Sequence, residues 1–146
     1  MAMHLTSRLY VNLLRFPNFK GKGRIENSVR KLFFASPRYE VVHGLRMELS
    51  PLEWTEITLM RDGIIEPKTT ALFGTLLRPS DVYVDVGAHV GFHTLVARHH
   101  VGESGKVIAV EPQPYNCQKI LANWRANGFS SSMFLHRRYR VQRSSR

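Results

Sequence analysis

Residues 81–94 read DVYVDVGAHVGFHT, a valine-rich run that ends in an acid and is followed by two glycines. A run of this kind, bounded by turn residues, predicts a strand at 82–86, a tight turn, and a helix over 92–99. A second strand at 106–110 and a second helix at 114–127 follow, with Gly128 as a left-handed cap. Strand, helix, strand, helix in this order predicts an α/β fold with a parallel sheet, whose ligands lie beyond the carboxyl ends of the strands.

The glycine turn lacks the residues that a pyrophosphate needs. A dinucleotide fingerprint that starts at Gly87 requires glycine where His89 and Phe92 stand, and a phosphate loop requires Gly-Lys where Phe92 and His93 stand. The remaining pattern is D-x-G-x-x-x-G, formed by Asp85, Gly87 and Gly91. This pattern suits a nucleoside-like ligand without phosphates.

An acid at the end of the second predicted strand adds to this pattern. Glu111 lies 24 residues after Gly87 and can accept hydrogen bonds from the hydroxyls of a ribose. Asp85 would supply negative charge near an amine or a sulfonium group. S-adenosyl-L-methionine has both an adenosine ribose and a cationic amino-acid arm, so we predict it as the cofactor.

The segments RDGIIEPKTTALFGTLLRPSD (61–81) and VYVDVGAHVGFHTLVARHHVGESGKVIAVEPQPYNCQKILANWRANGF (82–129) resemble FkbM-type S-adenosylmethionine-dependent methyltransferases. The resemblance covers about residues 41–129. It implies the Rossmann-like class I methyltransferase fold, of which this chain would hold the first two or three strands. It also implies O-methylation of a hydroxyl on a sugar, a polyketide or another small molecule.

The resemblance also assigns cofactor-binding residues. Asp85, Gly87 and Gly91 match the family's cofactor turn, and Glu111 matches its ribose acid. Glu66 matches a glutamate near the methionine end of the cofactor, although an acid before Pro67 also fits the first turn of a helix. His89 stands where the family commonly has asparagine, and an imidazole can still donate one hydrogen bond there.

The remaining elements are predicted from spacing. Leucines at 5, 9, 13 and 14 predict a helix, either a packing helix at the domain edge or a membrane-surface helix with Arg8 and Arg15. A short helix at 27–34, a strand pair within 39–59 and a helix at 66–77 follow, and MFLH (133–136) would be a third strand. We therefore predict a basic helical extension at 1–38, an incomplete methyltransferase domain at 39–136, and a basic tail at 137–146.

The formal charge of +10 is concentrated at the two ends. Residues 1–33 carry +6 and residues 134–146 carry +5, whereas residues 34–133 carry −1. This distribution argues against a specific nucleic-acid surface in the fold. Two alternatives stay open, namely an RNA methyltransferase of the same fold and a non-catalytic fragment whose basic tail binds polyanions.

Several further expectations concern the whole chain. The arginine-rich end favours a truncated or frame-shifted product of a longer gene, inactive alone, or a short variant completed by another chain.

No apolar run approaches the roughly 20 residues that span a bilayer, and no signal peptide is recognisable, which predicts a cytoplasmic protein. The histidines 89, 93, 99 and 100 lack further ligands, so no metal site is predicted. His89 and His93 are the candidate bases, and the catalytic residue stays unassigned.

Overall fold

The structure is a computed structural model that describes residues 9, 10, 12, 13, 15–33, 38–129 and 133–136. The chain divides into two compact units, residues 1–70 and 71–146. Its elements, numbered in chain order, are α1 (Lys22–Phe33), β1 (Arg38–Val42), β2 (Leu45–Leu49), α2 (Trp54–Asp62), α3 (Pro67–Leu76), β3 (Val82–Val86), α4 (Phe92–Val101), β4 (Lys106–Val110), α5 (Pro114–Ala126) and β5 (Met133–His136).

An antiparallel hairpin, β1 with β2, forms the sheet of the first unit. Its turn consists of His43 and Gly44, both with positive φ (49° and 76°), so that Val42 pairs with Leu45. Left-handed conformations at both central residues match the twist of the flanking strands. The buried side chains alternate with exposed ones along β2, where Met47 is fully buried. The predicted strand pair is confirmed over YEVVHGLRMEL.

The segment EWTEITL, which was expected to extend this strand pair, is a helix instead. Helix α2 buries Ile57 and Met60, three residues apart on one face, together with Leu59. The chain leaves the helix at Gly63 (φ 73°), whose N–H donates to the Leu59 carbonyl at 2.9 Å. Burial against the rest of the unit outweighed the weak strand preference of the β-branched residues.

The first helices differ from the predicted bounds. Leu9 and Leu13 have helical backbone, whereas Leu5 and Leu14 lie outside the described residues. Helix α1 begins at Lys22 rather than at 27, because the carbonyl of Gly21 accepts the N–H groups of residues 24 and 25. That pair of hydrogen bonds adds a helical turn which the sequence spacing did not indicate.

Helix α3 occupies almost the predicted range, but two of its leucines at helical spacing are exposed. Leu72 and Leu76 are 51% and 67% exposed. The buried ring is Phe73, whose centroid lies 5.2 Å from that of Tyr83 and 5.5 Å from that of His93. These two ring contacts of Phe73 therefore set the rotation of this helix.

A three-stranded parallel sheet in the order β3, β4, β5 forms the second unit. Asp85 is in register with Ala109, and Ala109 with Leu135. The strands predicted at 82–86, 106–110 and 133–136 are all confirmed. Helices α4 and α5 supply the buried side chains Leu95, Val96, Ile120 and Trp124, with Ala109 beneath them.

The face of this sheet that lies opposite helices α4 and α5 is exposed to solvent along β3. Val82, Val84 and Val86 are 58%, 52% and 66% exposed. The register places Ile108 of β4 beside Val84 and Val110 beside Val86, and Ile108 and Val110 are partly exposed. Strands of parallel sheets are usually covered on both faces. This chain therefore presents a continuous aliphatic surface at 82, 84, 86, 108 and 110.

Within the described residues, no helix combines the length and the apolar character required to cross a membrane.

Candidate cofactor site at the ends of β3 and β4

The turn after β3 has a backbone that ordinary side chains disfavour. Gly87, His89 and Gly91 have positive φ angles of 83°, 51° and 86°. The N–H groups of Gly87 and Ala88 both donate to the Val110 carbonyl, at 2.8 and 3.2 Å. The turn is thus tied to the end of β4, and His89 is its one left-handed residue that is not glycine.

Glu111, at the end of β4, holds this turn from the other side. Its Oε2 accepts the backbone N–H of His89 at 2.9 Å. Its Oε1 accepts the N–H of Gln113 at 2.9 Å and the amide of Asn116 at 3.3 Å. The carboxylate is buried and joins the glycine turn to the start of α5. The sequence predicted that Glu111 would lie beside the turn, but not that its carboxylate would hold the turn in place through hydrogen bonds.

Asp85, the last buried residue of β3, lies close to this carboxylate. Burial raises its pKa above the ordinary value, while the hydroxyl of Thr94 and the nearby His93 act in the opposite direction. The negative charge of Glu111 raises the pKa of Asp85 further. Thr94 donates its hydroxyl hydrogen to Asp85 Oδ2 at 2.5 Å. The two predicted acids therefore share one electrostatic environment.

Gly91 is the point where α5 meets the turn. A Cβ added to Gly91 would lie 3.2 Å from Cγ1 of Ile120, closer than most real contacts. One helical turn further on, the buried Asn123 donates its amide to the Val90 carbonyl at 3.0 Å. The absence of a side chain at Gly91 thus allows α5 to pack directly on the turn.

Two residues of this arrangement were missed in the sequence. Thr94 lies in the first turn of α4, where a hydroxyl beside a strand-end acid was a usable signal. Asn123 lies in the middle of α5, and a polar residue at such a position gives no local sign of burial.

Glu66 belongs to the first unit. Its backbone has φ 44°, and its carbonyl accepts the N–H of Thr70 at the start of α3. It lines a groove of about 470 Å³ within that unit, together with Trp54, Thr58 and Asp62. Its predicted place at the methionine end of a cofactor stays a prediction.

The histidines that were considered as bases or metal ligands have different surroundings. The ring of His93 lies 5.3 Å from Phe92, and His99 lies 5.8 Å from His100. The Nδ1 atom of His89 is buried and has no hydrogen-bond partner among the described residues. Nor does the described part of the chain contain a group of three His, Cys, Asp or Glu residues that could hold a metal ion.

Comparison with known proteins gives results at the level of structure only. No protein-family model matches the chain, and no curated protein matches its sequence. P. horikoshii TYW2 in complex with MeSAdo is 20% identical, with a TM-score of 0.53, over 69% of this chain and 35% of that protein. M. jannaschii TYW2 in complex with AdoMet is 14% identical, with a TM-score of 0.54, over 69% of this chain and 42% of that protein.

The two TYW2 structures show the fold. It is the Rossmann-like α/β fold of class I methyltransferases. A SAM-dependent O-methyltransferase from Thermotoga maritima is 26% identical over 52% of this chain and 29% of that protein, with a TM-score of 0.47. This chain spans less than half the length of each of these three proteins.

Proposed function

We propose that the turn of residues 87–91 binds S-adenosyl-L-methionine, and that the chain is the cofactor-binding part of a methyltransferase. The observation that carries this assignment is the buried Glu111 carboxylate, which lies at the end of β4 and is bonded to His89 in the turn after β3. In this fold, ligands bind beyond the carboxyl ends of the strands. M. jannaschii TYW2, which shares the fold, was solved with AdoMet.

The hydrogen-bonding capacity of Glu111 suits a ribose. A carboxylate has about four acceptor sites, and three are used within the protein. The contact from Asn116 is the longest, at 3.3 Å, and is the one that a ribose hydroxyl would replace most easily. The carboxylate as it stands leaves one acceptor site for a ribose hydroxyl, and a second site would become available if Asn116 turned away.

Asp85 and His89 supply the remaining polar groups of the turn. In its ionised form the buried Asp85 attracts a cationic amine or sulfonium, which in turn would favour loss of its proton. The buried Nδ1 of His89 offers one hydrogen-bond position. Gly87 keeps the backbone open for close approach, since no atom lies within 4 Å of a Cβ placed there.

The bound cofactor would supply a methyl group on sulfonium, which is already a good electrophile. The chain's contribution is to position that methyl in line with an acceptor hydroxyl and to provide a group that takes the proton. His89 and His93 are the candidates for this base. As acceptor we propose a hydroxyl of a sugar, polyketide or other small molecule, which is supported by the resemblance to FkbM-type enzymes.

We further propose that this is a cytoplasmic enzyme whose open sheet face is completed by further protein. The exposed row of Val82, Val84 and Val86 supports such a cover. Methyl transfer to an acceptor would accordingly require the covering protein, whereas cofactor binding would not.

Isothermal calorimetry with S-adenosylmethionine and S-adenosylhomocysteine tests the assignment. We expect the wild type to bind both and E111A to lose most of the affinity. E53A is the matched control, because Glu53 is an exposed glutamate of the first unit whose removal changes the charge equally. A wild type that binds neither ligand would reduce the assignment to shared fold alone.

A ligand series separates a ribose contact from general damage to the turn. The 2′-deoxy analogue of S-adenosylhomocysteine lacks one hydroxyl that Glu111 would bind. If Glu111 binds that hydroxyl, E111Q lowers affinity for the parent ligand roughly tenfold or more but changes affinity for the deoxy analogue much less. An equal loss for both ligands would show that Glu111 acts only through the shape of the turn.

A further inference from the structure

Residues 15–25, RFPNFKGKGRI, form a segment of the first unit that is both basic and aromatic. Phe16 and Phe19 are 63% and 44% exposed, and Ile25 is similarly exposed. The two phenylalanine rings meet edge to face, with centroids 6.4 Å apart and planes at 88°. Large apolar side chains grouped at the surface mark interaction sites more often than isolated ones do.

The backbone of this basic aromatic segment is held in place. The ammonium of Lys22 donates to the carbonyl of Phe16 at 2.5 Å, and its backbone N–H donates to the carbonyl of Phe19 at 3.1 Å. The same ammonium lies 3.5 Å from the carboxylate of Glu26. Both rings are therefore presented by a fixed loop in front of α1, which lowers the entropy lost on binding.

Most of the segment's positive charge is not neutralised. It contains four cationic side chains and no acid. Lys20 and Arg24 are exposed, and neither has an ion-pair partner in the described part of the chain. Arg15 donates to the carbonyl of Arg61 and keeps its charge. Two exposed phenylalanines thus lie among cations, a surface complementary to an anionic and partly apolar partner.

We propose that residues 15–25 dock on an anionic lipid surface. The cations would bind headgroup phosphates, and Phe16 and Phe19 would enter the boundary with the acyl chains. Single-stranded RNA is the rival partner, because bases stack on aromatic side chains. Successive stacked bases are nearly parallel, whereas these two rings lie at 88° and cannot both face them. Phenylalanine also has no polar group with which to read a base.

Co-sedimentation of the full chain with lipid vesicles tests this surface. We expect binding to vesicles of equal parts phosphatidylcholine and phosphatidylglycerol, and little binding to phosphatidylcholine alone. Each basic side chain near an anionic surface contributes roughly fivefold, and K20E/R24E also adds two negative charges, so it should lower the partition coefficient by at least about thirtyfold. K68E/K106E makes the same charge change at two exposed lysines elsewhere and should lower it by less than about threefold.

A second set of variants tests the contribution of Phe16 and Phe19. F16S/F19S should lower binding by about tenfold. The matched control is L72S/L76S, which removes two comparably exposed leucines of α3 and should leave binding unchanged. In addition, tryptophan introduced as F16W should be quenched by lipids brominated on the acyl chain, beyond the quenching seen for Trp54 and Trp124 in the wild type. Thermal melts of every variant verify that it folds.

Several results would overturn the assignment. These are equal binding to both kinds of vesicle, equal losses for K20E/R24E and K68E/K106E, or binding that only deletion of residues 137–146 removes. An F16W variant that is not quenched while a single-stranded RNA displaces the chain from vesicles would identify a nucleic-acid surface instead. None of these outcomes depends on whether the chain binds S-adenosylmethionine.

Discussion

Glu111 and His89 are joined by a hydrogen bond of 2.9 Å from the backbone N–H of the histidine to the carboxylate. Glu111 directly follows strand β4 and His89 lies in the middle of the turn after β3, so the bond holds the turn against the end of β4. The same carboxylate also receives the N–H of Gln113 at the start of α5. A group proposed to bind a ribose therefore also maintains the shape of its own site.

This double role predicts a stability cost for E111A. Removing the carboxylate deletes two part-buried hydrogen bonds from the N–H groups of His89 and Gln113 to a charged acceptor, which should cost about 1–3 kcal/mol. Urea unfolding of wild type and variant measures the difference. E53A should differ from the wild type by less than about 0.5 kcal/mol. If E111A unfolds like the wild type, the carboxylate does not maintain the turn.

Substitution of the two turn glycines should have unequal effects. G87A introduces a side chain at φ 83° but into open space, so it should cost about 1 kcal/mol from backbone strain. G91A adds a contact of 3.2 Å with Ile120 and should cost about 1 kcal/mol more. In an I120A background, which lacks the γ carbons that crowd the new Cβ, G91A should cost less than it does in the wild type. Equal costs for the two alanines would show that α5 does not press on the turn.

Asp85 predicts a pH dependence with a definite sign. Burial raises the pKa of Asp85 above its ordinary 3.8, so the folded state holds this proton more tightly than the unfolded state does. That stabilisation is fully present below pH 3.8 and is lost as the pH rises through the folded pKa. D85N removes the ionisation and still offers Thr94 an acceptor. Its melting temperature should therefore rise relative to that of the wild type between acid and neutral pH.

Asp62 provides the control of opposite sign. The hydrogen bonds from Arg61 lower its pKa, so its contribution is present above its ordinary pKa and is lost as the pH falls. D62N should therefore be slightly less stable than the wild type at neutral pH and no less stable in acid. If the stabilities of D85N and D62N relative to the wild type changed with pH in the same direction, the environments assigned to the two carboxylates would be wrong.

Asn123 tests the contact between α5 and the turn. N123A removes the amide that donates to the Val90 carbonyl and leaves that carbonyl buried, which should cost about 1–3 kcal/mol. Q118A, at an exposed position of the same helix, controls for helix propensity. Because Val90 lies within the turn, N123A should also weaken S-adenosylhomocysteine binding, which calorimetry measures. A loss of stability with unchanged affinity would confine Asn123 to packing.

The open face of the sheet predicts self-association of the isolated chain. V84T/V86T keeps the β-branched shape but reduces the apolar surface, so it should lower concentration-dependent association in sedimentation velocity. Because both valines are exposed, the free energy of unfolding should change by less than about 0.5 kcal/mol. A larger destabilisation would indicate that this face is already covered in the isolated chain.

The parallel strands of the second unit follow closely from their sequence, whereas helix α2 of the first unit does not. The apolar runs of β3 and β4, bounded by turn residues, are predicted correctly because backbone propensity, burial pattern and turn chemistry agree there. In α2 the local propensity and the tertiary packing disagree. The β-branched residues of EWTEITL favour a strand, but the segment is a helix because that conformation buries residues such as Ile57. The exposed Leu72 and Leu76 of α3 show the same limit, because helical spacing identifies an apolar stripe without showing whether a partner covers it.

The residue types of the site were determined by the sequence alone: an acid at the end of each strand, two glycines four apart, and a histidine between them. Their proximity also followed, since the ends of adjacent parallel strands share one edge. Only the tertiary structure decided which hydrogen bonds these residues make. Asn123 reaches Val90 across 33 positions, and Glu111 reaches His89 across 22. Contacts at such separations depend on how a helix packs on a sheet, and local sequence does not encode that packing.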